Sequence, residues 1–133
     1  MHVASRLTAE KQSVVENGRS HAVVTDLPAD QNGTDKGATA LELTVMSLAA
    51  CITTIWAVVA QNSGVSYSDF SVELDAEKGG KTITAVTGRA RVVSQQERSK
   101  LERTLQKVMT TCPVGLLFEQ AGVDVQIELD VAA

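Results

Sequence analysis

Residues 39 to 64, TALELTVMSLAACITTIWAVVAQNSG, carry no basic residue and one acid, and that run limits what the chain can become. It reads as one long helix. Thr39 with Glu42 three residues on is a capping-box start, and Asn62 to Gly64 supplies a stop. Leu41, Val45, Leu48, Ile52, Ile55 and Val59 recur at spacings of four and three, which stacks them on one face. The other side, with Ala49, Ala50, Cys51, Ala57, Val58 and Ala60, is hardly polar, and a helix apolar nearly all round needs cover on both sides. Some 24 residues of helix span about 36 Å. A chain this long has a radius of gyration of only about 14 Å. One face is therefore expected on the chain's own sheet and the other on a second copy.

The charge-free span Leu43 to Ala60 also has the length of a membrane crossing. Thr44, Ser47, Thr53 and Thr54 dilute it, no cluster of Lys or Arg flanks it, and the rest of the chain alternates like soluble strands. A soluble core helix is the expectation, with no membrane partner. The 133 residues suffice for one domain over 1–133, and a net charge of −4 gives no basic footprint for nucleic acid. No charged-then-apolar leader opens the sequence, so the cytoplasm is the expected compartment. Two cysteines 61 positions apart form neither a secreted disulfide framework nor a metal-ligand spacing, and no cofactor or metal is expected.

Taken in order, residues 2 to 9 alternate weakly and 11 to 16 read as a strand. Asn17-Gly18 is a hairpin signal that returns the chain through 19 to 25, with Arg19 at the exit. Residues 26 to 38, with Pro28, Asn32, Gly33 and Gly37, form a loop. Tyr67 to Ala76 alternates as a half-buried strand, and Gly79-Gly80 turns it into 81 to 93, where Gly88 marks a bulge. Ser94 and Glu97 read as a second capping box, opening a helix with Leu101, Leu105, Val108 and Cys112 on one face. Pro113 ends it and begins a short helix over 114 to 121; Val123 to Val131 alternates strictly as a last strand. The expected class is α+β, with helices on one face of a sheet.

The chemistry rests on the two thiols. Cys51 lies among alanines in mid-helix, and free cysteine is among the most buried residue types, so inert packing is an open reading. Cys112 precedes the unpaired N–H groups of the short helix, which should lower its thiol pKa; a plain helix-capping core cysteine is the alternative. Residues 37 to 51, GATALELTVMSLAAC, followed 61 positions on by Cys112-Pro113-Val114, resemble the two signature blocks of the OsmC/Ohr family. That resemblance covers nearly the whole chain. It implies the OsmC-like fold as an intertwined homodimer with the long helices at its centre: N-terminal strands, a long helix, two strands, a second helix with a short extension, and a C-terminal strand.

The resemblance further implies thiol-dependent reduction of organic hydroperoxides, with a dithiol or lipoyl-type reductant. Cys51 would be the peroxidatic thiol and Cys112 the resolving one. A thiolate attacks the O–O bond, becomes a sulfenic acid and condenses with the second thiol. Arg19 is the best match to the family's thiolate-activating arginine. The family's peroxidases commonly carry Pro-Glu ten residues before the first cysteine, whereas this chain has Ala40-Leu41 there, with Glu42 one residue later. One residue turns a helical side chain by about 100°. The sequence thus sits nearer the OsmC-like branch, and a module that holds a small apolar ligand without turnover is the alternative function.

Overall fold

The computed structural model describes all residues from Met1 to Ala133. It is an α+β chain that divides into two compact units, Met1–Thr44 and Val45–Ala133. The first holds β1 (Ala4–Ala9), β2 (Gln12–Glu16) and β3 (Ala22–Thr25), an antiparallel sheet in chain order. The β2–β3 connection is a five-residue loop instead of the expected two-residue Asn-Gly turn. Asn17 is the cause: its Oδ1 accepts the backbone N–H of Arg19 at 2.9 Å and of His21 at 3.4 Å. An asparagine that hydrogen-bonds its own downstream backbone makes an Asx turn in place of a hairpin corner. Gly18 and Ser20 take positive φ to complete it. Apolar side chains of this sheet stay uncovered, with Leu7 68% and Val23 45% exposed.

From β3 the chain runs through a loop tied to one carboxylate. Asp26, almost fully buried, accepts hydrogen bonds from the Leu27 N–H, the Thr34 hydroxyl and the Lys36 N–H. Chiefly the Thr34 hydroxyl bond, aided by the Leu27, Lys36 and Thr34 amides against the opposing effect of burial, lowers its pKa below the ordinary carboxylate value. Gly33 makes the fold-back possible, since a Cβ there would lie 1.8 Å from the Leu27 carbonyl oxygen.

The long helix α1 spans Ala40–Asn62. Its capping box is present: Thr39 N–H donates to Glu42 Oε1 at 2.9 Å, and Glu42 N–H donates to Thr39 Oγ1 at 3.1 Å. At the other end Gly64 takes φ +63°, and Val65 N–H reaches back to the Ala60 carbonyl at 2.8 Å, a Schellman closure. The face sealed in the chain is Leu48, Ile52, Trp56, Val59 and Ala60, rotated slightly from the expected stripe, with Leu41, Val45 and Ile55 only half-buried. Trp56 causes the shift, stacking on Phe70 with centroids 4.2 Å apart and meeting Tyr67 edge-on at 5.9 Å. Each large side chain fully buried this way contributes about 1.5–3 kcal/mol. By length and composition α1 passes the test for a membrane span, with mean hydropathy 2.1.

The second unit builds its sheet from β4 (Asp69–Gly79), β5 (Thr82–Val93) and β6 (Asp124–Ala132), in that order. There are thus two three-stranded sheets in place of the one expected. β4 and β5 form an antiparallel hairpin around Gly80 and Lys81, with φ positive at Gly80 alone. Gly80 supplies the positive φ this two-residue corner takes, and the Lys81 N–H donates to the Gly79 carbonyl at 3.1 Å. Gly88 is no bulge: it pairs regularly with Leu74 and Ile127, and the irregularity falls at Glu77/Lys78 opposite β5. Gly88 instead makes room, because a Cβ would sit 2.5 Å from both the Glu73 oxygen and Leu74 Cδ2.

β6 lies parallel to β5, so the connection between them must cross over, and α2 (Arg98–Thr111) and α3 (Pro113–Gln120) supply it. The capping box expected from Ser94 and Glu97 does not form. Ser94 Oγ donates to the Ser66 carbonyl at 2.6 Å and accepts Gln96 N–H, which fixes the chain's exit from β5 and leaves Glu97 to start α2 without a side-chain cap. Leu101, Thr104, Leu105 and Val108 form the buried face of α2, as the four-and-three spacing requires.

Candidate active site

Cys112 is the joint between two helices. With φ −64° and ψ 112° it ends α2 and serves as N-cap of α3, and Pro113 takes the first helical position, where its missing N–H costs nothing. The first free amides of α3 therefore belong to Val114 and Gly115. Gly115 N–H points at the Cys112 sulfur, 3.4 Å away. A Cβ at Gly115 would stand 3.5 Å from that sulfur, in ordinary contact, so glycine is not demanded there by space.

Cys51 projects from the fourth turn of α1, half-buried, while Cys112 has no exposed surface; neither is in a disulfide. The two thiols lie close enough that the Cys51 side chain perturbs Cys112. The second unit holds them on α1 and at the α2–α3 joint. The expected acidity of Cys112 is wrong in sign. Burial pushes its thiol up from 9.0 to about 11; the contact with Cys51 adds to the rise, and the Gly115 and Val114 amides oppose it without prevailing. A thiolate sealed from water costs more than two amides return.

Arg19 lies in the exposed loop between β2 and β3, and its guanidinium makes no hydrogen bond or ion pair. Glu42 is committed to the α1 cap through Oε1, and the Thr39 amide and hydroxyl hold its carboxyl below the ordinary value. Arg19 and Glu42, both in the first unit, form no ion pair with each other. Sequence reasoning missed Asp26 altogether. Its only signal was an acid directly before Leu-Pro in a loop with a threonine eight residues on, a pattern too common to single out. No group of three or more metal-ligating side chains exists in the molecule.

The fold and the paired thiols define a class: an α+β protein with one cysteine on a long helix and a second at a helical joint. The sequence profile of the OsmC-like proteins matches residues 33–128, and the chain belongs to that family. Its fold matches an OsmC-like protein of Mycoplasma pneumoniae with TM-score 0.89 at 11% identity, over 99% of this chain and 96% of that one. It also matches an organic hydroperoxide resistance protein OsmC of Legionella pneumophila, with TM-score 0.74 at 18% identity, over 100% and 98%. The organic hydroperoxide resistance protein OhrB of Bacillus subtilis gives 0.69 at 17%, over 97% and 96%. No curated protein sequence matches the chain.

Proposed function

We propose that the protein is a thiol-dependent peroxidase that reduces organic hydroperoxides through Cys51 and Cys112. The observation that carries the reading is the pair itself: two free thiols close enough to perturb one another, one half-exposed and one sealed. Cys51, the reachable sulfur, attacks the distal oxygen of ROOH as a thiolate; the O–O bond breaks, ROH leaves with a proton, and Cys51 becomes a sulfenic acid. The Cys112 thiol then condenses with it, releasing water and forming the disulfide. Two electrons from a dithiol, either small or of the lipoyl type, reopen that bond. Arg19 enters as the cation that favours the Cys51 thiolate. Glu42 enters only through its second carboxylate oxygen, because Oε1 is held in the cap.

Residues 1–133 work in this reading as one OsmC-like domain in a cytoplasmic homodimer. Its support is the uncovered stripe on α1, where Met46 is 53% and Val58 46% exposed beside the exposed Ala50, Thr54 and Ala57. Leu48 is fully buried within its own chain, whereas Met46 and Val58 are exposed and are the positions at which a charge tests the dimer. One observation favours the rival, a ligand-binding module without turnover: the Cys112 thiol is held neutral. Consumption of cumene hydroperoxide separates the two. Turnover with dithiothreitol or a lipoylated protein, lost in Cys51→Ser and slowed in Arg19→Ala, is expected; no turnover with either reductant leaves the binding module standing.

A further inference from the structure

The two sulfurs differ in access and in surroundings, and after oxidation that difference decides how the disulfide is reopened. We infer that a thiol reductant enters at Cys51 and expels Cys112 into the first turn of α3. The inference rests on the dithiol reading of the preceding section but not on which oxidant made the disulfide.

A thiolate must approach a disulfide along the S–S axis and therefore needs open space behind the sulfur it attacks. Cys112 offers none: it has no exposed surface, and α2 and α3 meet at it. Cys51 is half-buried, on a helix whose neighbouring exposed positions include Ala50 and Thr54. Attack at Cys51 forms the bond between the reductant sulfur and Cys51 Sγ, breaks the bond to Cys112 Sγ, and leaves the electron pair on Cys112. That charge appears where Gly115 N–H already points at the sulfur from 3.4 Å, with no carbonyl of its own helix to bond. The same burial that seals Cys112 makes its thiolate take a proton from the solution at neutral pH. Once protonated, Cys112 returns to the mixed disulfide only slowly, through the same small thiolate fraction by which it condenses with the sulfenic acid. The mixed disulfide on Cys51 therefore survives until a second thiol displaces Cys51 as thiolate, which returns the dithiol and leaves the reductant oxidised. A reductant carrying two thiols does this within one encounter, whereas a monothiol stalls.

The full-length protein is oxidised with diamide, so that the disulfide does not depend on peroxide chemistry. It is treated briefly with glutathione, quenched in acid, alkylated and peptide-mapped. Glutathione is expected on Cys51 with the alkyl group on Cys112, in at least tenfold excess over the reverse pattern. An equal mixture, or glutathione on Cys112, overturns the inference, as does failure of diamide to join the two cysteines. Because peroxide is never used, an inactive enzyme with the expected pattern would refute the peroxidase reading and leave this one intact.

Discussion

The position of Cys112 sets its reactivity, and the size of the effect can be stated. Burial and the neighbouring thiol move it from 9.0 to about 11, two decades, so at any pH well below 9 its thiolate share is about a hundredth of that of an unshifted thiol. Because alkylation proceeds through the thiolate and the folded chain also shields the sulfur, Cys112 in the native protein should react with iodoacetamide at least 100-fold more slowly than in the urea-unfolded chain at pH 7.5. Its rate should climb tenfold per pH unit and reach no plateau until about pH 11. Isotope-coded alkylation pulses, quenched and read by mass spectrometry at half-unit steps, give the profile for each cysteine separately. Steric shielding alone would lower the whole curve without moving its plateau. A Cys112 profile that levels near pH 9, or a native rate within a few fold of the unfolded rate, would refute the reasoning. In Cys51→Ser the plateau should fall only part of the way back, since desolvation, the largest single cause, remains.

Two further outcomes concern the frame around the site. Asp26 and Glu42 both have carboxyls held below their ordinary values in the folded state, so each stabilises it above the ordinary carboxylate range and loses that contribution as pH falls through its folded value. The protection of the Leu27, Lys36 and Thr39 amides against hydrogen exchange, taken relative to their intrinsic rates, should fall below about pH 4, before that of the centre of α1 does; simultaneous loss would count against it. Trp56 Nε1 is buried without a hydrogen-bond partner. Trp56→Phe removes that orphan donor, worth about 1–3 kcal/mol, against a cavity of roughly 40 Å³ at about 24 cal/mol per Å³. Denaturant unfolding should therefore show a near-neutral or slightly stabilising change, and a loss above about 2 kcal/mol would contradict the orphan's cost.

What could be read from the sequence was what nearest neighbours decide. The Thr39/Glu42 box, the Gly64 stop, the strict alternation of β6 and the Cys112-Pro113 joint depend on residues a turn apart, and all are present. The failures lie where a distant group competes. Ser94 had the pattern of a cap, but the Ser66 carbonyl, 28 residues away, takes its hydroxyl. Gly88 had the pattern of a bulge, but neighbours on both flanking strands claim the space of its side chain. Asn17-Gly18 had the pattern of a tight corner, and the asparagine's own side chain rebuilt it. For Cys112 the favourable amides were visible in Pro113-Val114-Gly115, whereas the desolvation that outweighs them is a property of the packed interior and of no local stretch.

The parallel pairing of β5 with β6 has a consequence for the order in which the molecule comes into being. The β4–β5 hairpin closes over two residues and can form early, but β6 pairs only after the whole α2–α3 crossover has been brought back, a slow, non-local step. Until then the α3 joint is open, and Cys112 keeps the acidity and exposure of a thiol in a flexible chain. A newly made or partly unfolded molecule thus presents to oxidants the sulfur that the finished one hides. Damage at Cys112 would record a folding history and not a catalytic one.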